Sequence, residues 1–181
     1  MTSNPWHSVS IGSNAPEEVN AIIEIQQGSK TKYELDKETG MLILDRILYS
    51  ELTFPVNYGL IPKTYYDDGD PLDILVLCSQ KLMPSTIVHT TVVGGMAMID
   101  SGQRDDKIIA VTTNDPYLKH IRSLNDIPEE SRAMITSFFQ YYKRAEGKEV
   151  IVEDLFDKKK AHQIIKQSMQ DYKKKFSLLD T

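Results

Sequence analysis

Three aspartates within six residues, Asp68, Asp70 and Asp73, are the clearest chemical signal in this sequence. Asp68 and Asp70 share a side of an extended backbone, and Gly69 and Pro71 allow a bend that brings Asp73 beside them. Converging carboxylates repel one another unless a cation lies among them, and oxygen ligands without a nearby histidine favour Mg²⁺ or Mn²⁺ over Zn²⁺. Alone, the segment could equally be a solvated Asp-Gly turn. It does not fit a calcium EF-hand loop, whose glycine and terminal glutamate are missing at the required spacing.

Further acidic residues interrupt apolar strand patterns elsewhere in the chain. Glu24 lies inside one such pattern and Asp100 ends another. Asp105 and Lys107 point the same way on an extended segment, so they present a carboxylate and an ammonium group side by side. Alone, that pair could be a surface salt bridge that contributes little to stability. Because a buried carboxylate must be paired, protonated or bound to metal, several acids on different strands together predict a polyvalent metal site.

Cations and hydroxyl groups that suit a phosphate anion accompany these acids. Lys32 shares a strand face with Glu34, and Lys143 lies near the end of a predicted helix. Each has a plainer interpretation when taken singly, because a lysine there could simply complement the helix dipole and a tyrosine could belong to the core. The candidates are Lys32, Arg46, Tyr58, Tyr142 and Lys143.

Short strand patterns fill the first two-thirds of the chain and must position these residues. They are separated by turn signals at Gly28, Gly40, Gly59 and Gly69, with no helical pattern between them, which predicts a small barrel or sandwich. The predicted strands are 19–25, 32–35, 42–48, 72–78, 86–93, 96–99 and 107–112.

The last third of the chain changes to helical spacing. Pro128, followed by two glutamates, opens a helix whose apolar pattern continues up to Gly147. A second helix is predicted over 158–175. The sequence therefore predicts a mainly β, α+β fold, in which a β-barrel is packed by two helices.

Composition limits the class of protein. With 181 residues, of which 40% are hydrophobic and 26% charged, the chain fits a single domain over 1–181. The net charge of −5 argues against non-specific nucleic-acid binding. No apolar run of about 18 residues predicts a membrane span, and no basic segment followed by an apolar one predicts a signal peptide. With a single cysteine, these features predict a cytoplasmic protein.

The acidic segment from Asp68 to Asp73 resembles the signature of the family I soluble inorganic pyrophosphatases, and of their bacterial type in particular. The similarity extends from about residue 4 to residue 153. Five further blocks in the right order make it far more specific than one six-residue motif. These blocks are 32–34, 44–46, 54–59, 100–107 and 138–143.

The resemblance implies a five-stranded OB-type β-barrel with two flanking α-helices, assembled as a homohexamer. It implies hydrolysis of inorganic pyrophosphate to two phosphates by a metal-activated water, with Mg²⁺ as cofactor and Mn²⁺ as a substitute. Phe54 stands where the family often has tyrosine, so one hydroxyl contact is missing.

The resemblance also assigns roles to individual residues. Asp70 would take the proton of the nucleophilic water, and Glu34 would orient its neighbours. The metal ligands would be Asp68, Asp70, Asp73, Asp100 and Asp105, with Glu24 assisting a further ion. The residues that bind substrate phosphates would be Lys32, Arg46, Tyr58, Lys107, Tyr142 and Lys143.

Two other functions compete with this interpretation. One is a non-catalytic OB-type nucleic-acid-binding module, which should present a basic groove with aromatic platforms. The other is a nucleoside polyphosphate hydrolase, which needs groups dedicated to a base. The strand segments present carboxylates and no base-binding groups can be identified, so the sequence favours pyrophosphate.

Overall fold

The computed structural model describes residues 4–176, which form nine strands and three helices. The strands are β1 (Glu18–Ile25), β2 (Thr31–Leu35), β3 (Leu42–Ile47), β4 (Asn57–Leu60), β5 (Asp73–Leu77), β6 (Ile87–Asp100), β7 (Gln103–Arg104), β8 (Lys107–Thr112) and β9 (Val150–Asp157). The helices are α1 (Pro5–Ser8), α2 (Glu129–Tyr141) and α3 (Lys158–Phe176).

Five strands close into a barrel in the order β1-β4-β5-β8-β6, and β6 returns to pair with β1. The β5–β8 pair is parallel and the other four pairs are antiparallel. Strands β7 and β9 extend the sheet from β6, and β2 and β3 form a separate hairpin. The predicted OB-type barrel with flanking helices is confirmed.

Alternation along the barrel strands explains why they read as continuous apolar runs. Leu75 on β5 packs into the core cluster that includes Phe138 of α2, while its neighbours Ile74 and Val76 pack into the cluster that includes Ile165 of α3. Successive side chains of a strand point to opposite faces. Strand β5 is therefore buried on both faces. The core cluster on one face includes residues of α2, and the cluster on the other face includes residues of α3.

Glycines account for two differences from the predicted strands. The segments predicted as 86–93 and 96–99 form one strand, β6, because Gly94 and Gly95 make room for neighbours instead of breaking the strand. A Cβ atom there would lie 2.5 Å from Leu124 and 2.3 Å from Phe156. The predicted turn at Gly59 is also wrong. This glycine lies in β4, where a Cβ atom would lie 2.0 Å from the carbonyl oxygen of Ile22 across the strand pair.

Helix α2 begins after Pro128 as predicted but ends at Tyr141, well before Gly147. The backbone N–H of Tyr142 still donates to Phe138, and a single 3₁₀ turn then leads to Gly147, whose φ of 70° ends it. The prediction that Tyr142 and Lys143 lie inside the helix is therefore wrong, and both stand directly after it. Helix α3 confirms the second predicted helix, whereas β4, β9 and the short α1 were not predicted. None of the helices within residues 4–176 combines the length and apolar character needed to cross a membrane.

Candidate active site

One cavity of about 310 Å³ collects nearly all of the predicted site residues. Its walls come from the barrel, from the acidic loop before β5, from the β2–β3 hairpin and from the segment after α2. Arg46 is the one predicted residue that does not line it. Those that do are Glu24, Lys32, Glu34, Tyr58, Asp68, Asp70, Asp73, Asp100, Asp105, Lys107, Tyr142 and Lys143.

Backbone hydrogen bonds close the acidic loop into a tight turn. The N–H of Tyr66 donates to the carbonyl of Asp70 at 2.8 Å, and the N–H of Gly69 donates back to the carbonyl of Tyr66 at 3.0 Å. Gly69 adopts a φ of 85°, which glycine tolerates best, and the N–H of Asp70 donates to a carboxylate oxygen of Asp68 at 3.0 Å. The bend predicted from the sequence is therefore present, and it presents both aspartates to the cavity together with Asp73.

A buried charge network forms the barrel side of the cavity. Asp73 and Lys107 are direct partners in the parallel β5–β8 pair, and the Lys107 side chain is only 3% exposed. Its Nζ donates to Asp73 and, at 2.6 Å, to Asp105, as expected for two residues on one strand face. The Tyr58 hydroxyl donates to Asp73 at 2.5 Å. Burial lowers the pKa of Lys107, but the two carboxylates outweigh it and hold the pKa above its usual range.

Further lysines reach the cavity from outside the barrel. Lys143 forms an ion pair with Asp100, and Lys37 forms one with Asp70. Lys32 on β2 pairs with Glu34 of the same strand face. Burial raises the pKa of Asp100, yet the ion pair with Lys143 prevails and lowers it.

Arg46 lies beside Lys32 but does not line the cavity. The two residues are opposite each other in the β2–β3 hairpin and share one carboxylate oxygen of Asp45, at 3.2 Å from Lys32 and 2.6 Å from Arg46. The Arg46 Nε also donates to Glu146, at 3.0 Å. Its Nη2 is buried and has no hydrogen-bond partner among the described residues, so it remains a free donor close to the site.

Two cavity acids have no ion-pair partner within residues 4–176. Glu24 is 6% exposed and accepts the N–H of Leu35 at 2.8 Å. Burial, reinforced by the charge of Asp73, raises its pKa to about 8. Burial, together with the charges of neighbouring carboxylates, raises the pKa of Asp68 to about 6, although the hydrogen bond from the N–H of Asp70 lowers it. Both acids therefore lie where added positive charge would be stabilising.

The donor chemistry of the cavity fits a divalent metal of the magnesium class. Its lining contains seven carboxylates and, within residues 4–176, neither histidine nor cysteine. In that part of the chain no three such side chains stand close enough to hold an ion, and lysines pair with five of the seven carboxylates. A metal ion would take its ligands from Asp68 and Glu24 and from carboxylates that exchange a lysine for it.

Some cavity residues were not singled out in the sequence. Lys37 follows the end of β2, where alternation along a strand no longer indicates direction. Trp6 comes from α1 and is fixed by a 2.7 Å hydrogen bond from Nε1 to the carbonyl of Thr64. Phe54, which stands where the family often has tyrosine, is 1% exposed, and its ring centroid lies 4.8 Å from that of Phe138. It serves the core and does not line the cavity.

Comparison with known proteins identifies the family. The model of the inorganic pyrophosphatase family matches residues 21–173. The chain belongs to this family. Membership makes it a hydrolase of the inorganic diphosphatase class and implies a divalent metal cofactor.

Relatives of this pyrophosphatase match it over almost its whole length. Soluble inorganic pyrophosphatase 2 of Chlamydomonas reinhardtii is 44% identical over 174 residues, which cover 96% of this chain and 91% of the relative. Soluble inorganic pyrophosphatase 5 of Arabidopsis thaliana is 45% identical over 172 residues, covering 95% and 80%.

Solved structures of pyrophosphatases share the fold. The crystal structure of the inorganic pyrophosphatase from Thermus thermophilus superposes with a TM-score of 0.90 at 38% identity, covering 94% of this chain and 99% of that one. The structure from Helicobacter pylori has a TM-score of 0.88 at 33% identity, covering 92% and 99%. These matches confirm family I, while the assignment to its bacterial type stays a prediction.

Proposed function

We propose that this chain hydrolyses inorganic pyrophosphate to two phosphates with Mg²⁺, and that water attacks the substrate directly. The observation that carries the proposal is a single cavity in which seven carboxylates face lysines and tyrosines. Family membership supports the same reaction. The two alternatives are not favoured. A nucleic-acid-binding module does not account for seven carboxylates around one cavity, and family membership supports pyrophosphate over a nucleoside polyphosphate.

The cations of the cavity compensate the charge of pyrophosphate. Lys32, Lys107 and Lys143 present ammonium groups at its edge, and Tyr58 and Tyr142 add hydroxyl donors. At Lys107 and Lys143, a phosphate oxygen would replace a carboxylate that the lysine contacts. Positive charge held in place before the reaction stabilises the charge that develops in the transition state.

Arg46 would join these cations from its position beside Lys32. Its Nη2 has no hydrogen-bond partner among the described residues, so it could donate to a phosphate oxygen without giving up another bond. Glu34, paired with Lys32, would keep that ammonium group aimed at the substrate.

Asp70 is the proposed general base. Its side chain is 45% exposed on the acidic loop, so water can reach it, and its own N–H is fixed to Asp68. Divalent ions held by Asp68, Asp70, Asp73, Asp100 and Asp105, with Glu24 assisting a further one, would lower the pKa of water and neutralise the substrate. Asp70 would then accept the proton of the attacking water.

Direct attack by water is supported by what lines the cavity. Within residues 4–176, the lining contains no serine, cysteine or histidine, and the proposal uses its aspartates as metal ligands, so it leaves no side chain as a covalent nucleophile. The proposed reaction therefore has one displacement at phosphorus, with the second phosphate as leaving group.

Several properties extend this proposal beyond the reaction itself. Mn²⁺ would substitute for Mg²⁺, because both prefer oxygen ligands. The whole chain, 1–181, would form one pyrophosphatase domain in the cytoplasm, with neither nucleic acid nor membrane as partner. It would assemble as a homohexamer, and sedimentation analysis should then give about six times the chain mass of 20.6 kDa.

A pair of neutralising substitutions tests the role of Asp70. Asp70→Asn should lower Mg²⁺-dependent phosphate release from pyrophosphate about 10²- to 10⁴-fold, which is the range for a lost general base. The matched control is Asp67→Asn, in the same loop but outside the cavity lining, which should retain activity. Both should keep the wild-type circular dichroism spectrum. Undiminished turnover in Asp70→Asn would show that Asp70 is not the general base.

A further inference from the structure

Asp106 is a buried carboxylate that the proposed reaction does not use. It is 3% exposed, follows Asp105 directly and does not line the cavity. It nevertheless has three partners. It accepts hydrogen bonds from the Tyr66 hydroxyl at 2.9 Å and from the N–H of Met98 at 3.2 Å, and it forms an ion pair with the Arg104 Nε at 2.9 Å. A buried charge is retained only with such compensation, so these contacts fix the carboxylate in place.

The first of these donors belongs to the acidic loop. Tyr66 is the residue whose backbone closes the loop, through hydrogen bonds with Asp70 and Gly69. Its hydroxyl therefore links the base of this loop to Asp106, 40 positions further along the chain.

The other two partners belong to the segments that carry Asp100 and Asp105. Met98 lies on β6 two residues before Asp100, and its carbonyl accepts the N–H of Asp105 at 2.9 Å. Arg104 ends β7 directly before Asp105 and is held from outside by Glu153, at 2.7 Å. The cavity aspartates lie on four segments, and Asp106 contacts three of them. The fourth is β5, which carries Asp73.

We propose that Asp106 is a positioning residue that holds the acidic loop in register with the segments that carry Asp100 and Asp105. Metal binding requires several carboxylates to exchange a lysine for the ion, and the ligands must keep their mutual spacing while this happens. Groups behind the ligands commonly set that spacing. This inference rests on the metal-binding roles proposed above for Asp68, Asp70, Asp100 and Asp105.

Tyr66→Phe is the mildest test, because it removes the hydroxyl and keeps the ring that packs against the core. Calorimetric titration of the metal-free protein should show Mg²⁺ binding about tenfold weaker, the low end for loss of a partner behind a ligand. Asp106→Asn should weaken binding at least as much. Both changes break the same hydrogen bond between Tyr66 and Asp106. The double variant should therefore bind Mg²⁺ more tightly than the sum of two independent free-energy losses predicts.

Asp115→Asn is the matched control. Asp115 is 5% exposed and accepts the N–H groups of Ser79 at 2.6 Å and Tyr117 at 3.0 Å. It follows the opposite end of β8 from Lys107 and is not part of the cavity lining. This control should lower the thermal midpoint in EDTA and leave Mg²⁺ affinity unchanged.

Three results would overturn the inference. They are wild-type Mg²⁺ affinity in Tyr66→Phe, wild-type affinity in a folded Asp106→Asn, and equal weakening in Asp115→Asn. If Asp106→Asn does not fold, Tyr66→Phe decides. Failure of the proposed metal roles gives a different result, because Asp70→Asn would then bind Mg²⁺ as the wild type does.

Discussion

Two sides of the cavity are built in different ways. The barrel wall, which consists of Tyr58, Asp73, Asp105 and Lys107, comes from strands β4, β5 and β8 and the residues directly before β8. The outer wall, which consists of Lys32, Lys37 and Lys143, comes from the β2–β3 hairpin, the turn after β2 and the segment after α2. The Lys107 side chain is 3% exposed, whereas the lysines of the outer wall range from 12% to 52%.

The difference indicates a division of tasks. Metal coordination requires fixed geometry, and strand register fixes Asp73 opposite Lys107 in the barrel. Lysines on long, flexible stems can instead adjust to a phosphate group from an exposed hairpin. We therefore expect changes in the barrel wall to cost stability as well as turnover, and changes in the outer wall to cost mainly turnover.

Lys107→Met should have the largest effect on stability. It leaves Asp73 and Asp105 buried without their shared cation, which typically costs about 3–5 kcal/mol. Urea unfolding in EDTA measures this loss, and Mg²⁺ should restore part of it by replacing the missing charge.

Lys37→Met is the outer-wall counterpart. Its ion pair with Asp70 is half-exposed, so its removal should cost about 0–1 kcal/mol in the same unfolding experiment. Equal losses in the two variants would contradict the division between the walls.

Lys143→Met should lower stability less than Lys107→Met does, but it should have a clear effect on turnover. Loss of one preorganised donor to the transition state lowers kcat about 100-fold. Arg144→Met is the control, because this neighbour lies over the Tyr141 ring and outside the cavity lining. Steady-state phosphate release measures both. Unchanged turnover in Lys143→Met would show that this lysine only complements the dipole at the end of α2.

Local patterns predicted much of this fold but not where glycine packs. Helix α3 was found because polar and apolar residues alternate at helical spacing over its whole length. Strands β4 and β6 were misjudged because Gly59, Gly94 and Gly95 read as breaks, whereas they admit neighbouring atoms in three dimensions. Strand β9 was missed because charged residues dominate its middle.

The acids of the site were easier to predict than its cations. A carboxylate inside an apolar strand, such as Glu24, is conspicuous because burial there needs a reason. Lys37 gave no such signal, because its approach to Asp70 depends on the path of the turn after β2. Asp106 entered the sequence analysis only within the block 100–107, since its partner Tyr66 lies 40 positions away.

Metal-dependent selectivity for pyrophosphate tests the central claim most directly. Phosphate release from pyrophosphate and from ATP should be compared with Mg²⁺ and with EDTA. The account predicts rapid release from pyrophosphate with Mg²⁺, its loss in EDTA and much slower release from ATP. Release from pyrophosphate that persists in EDTA, or faster release from ATP, would contradict it.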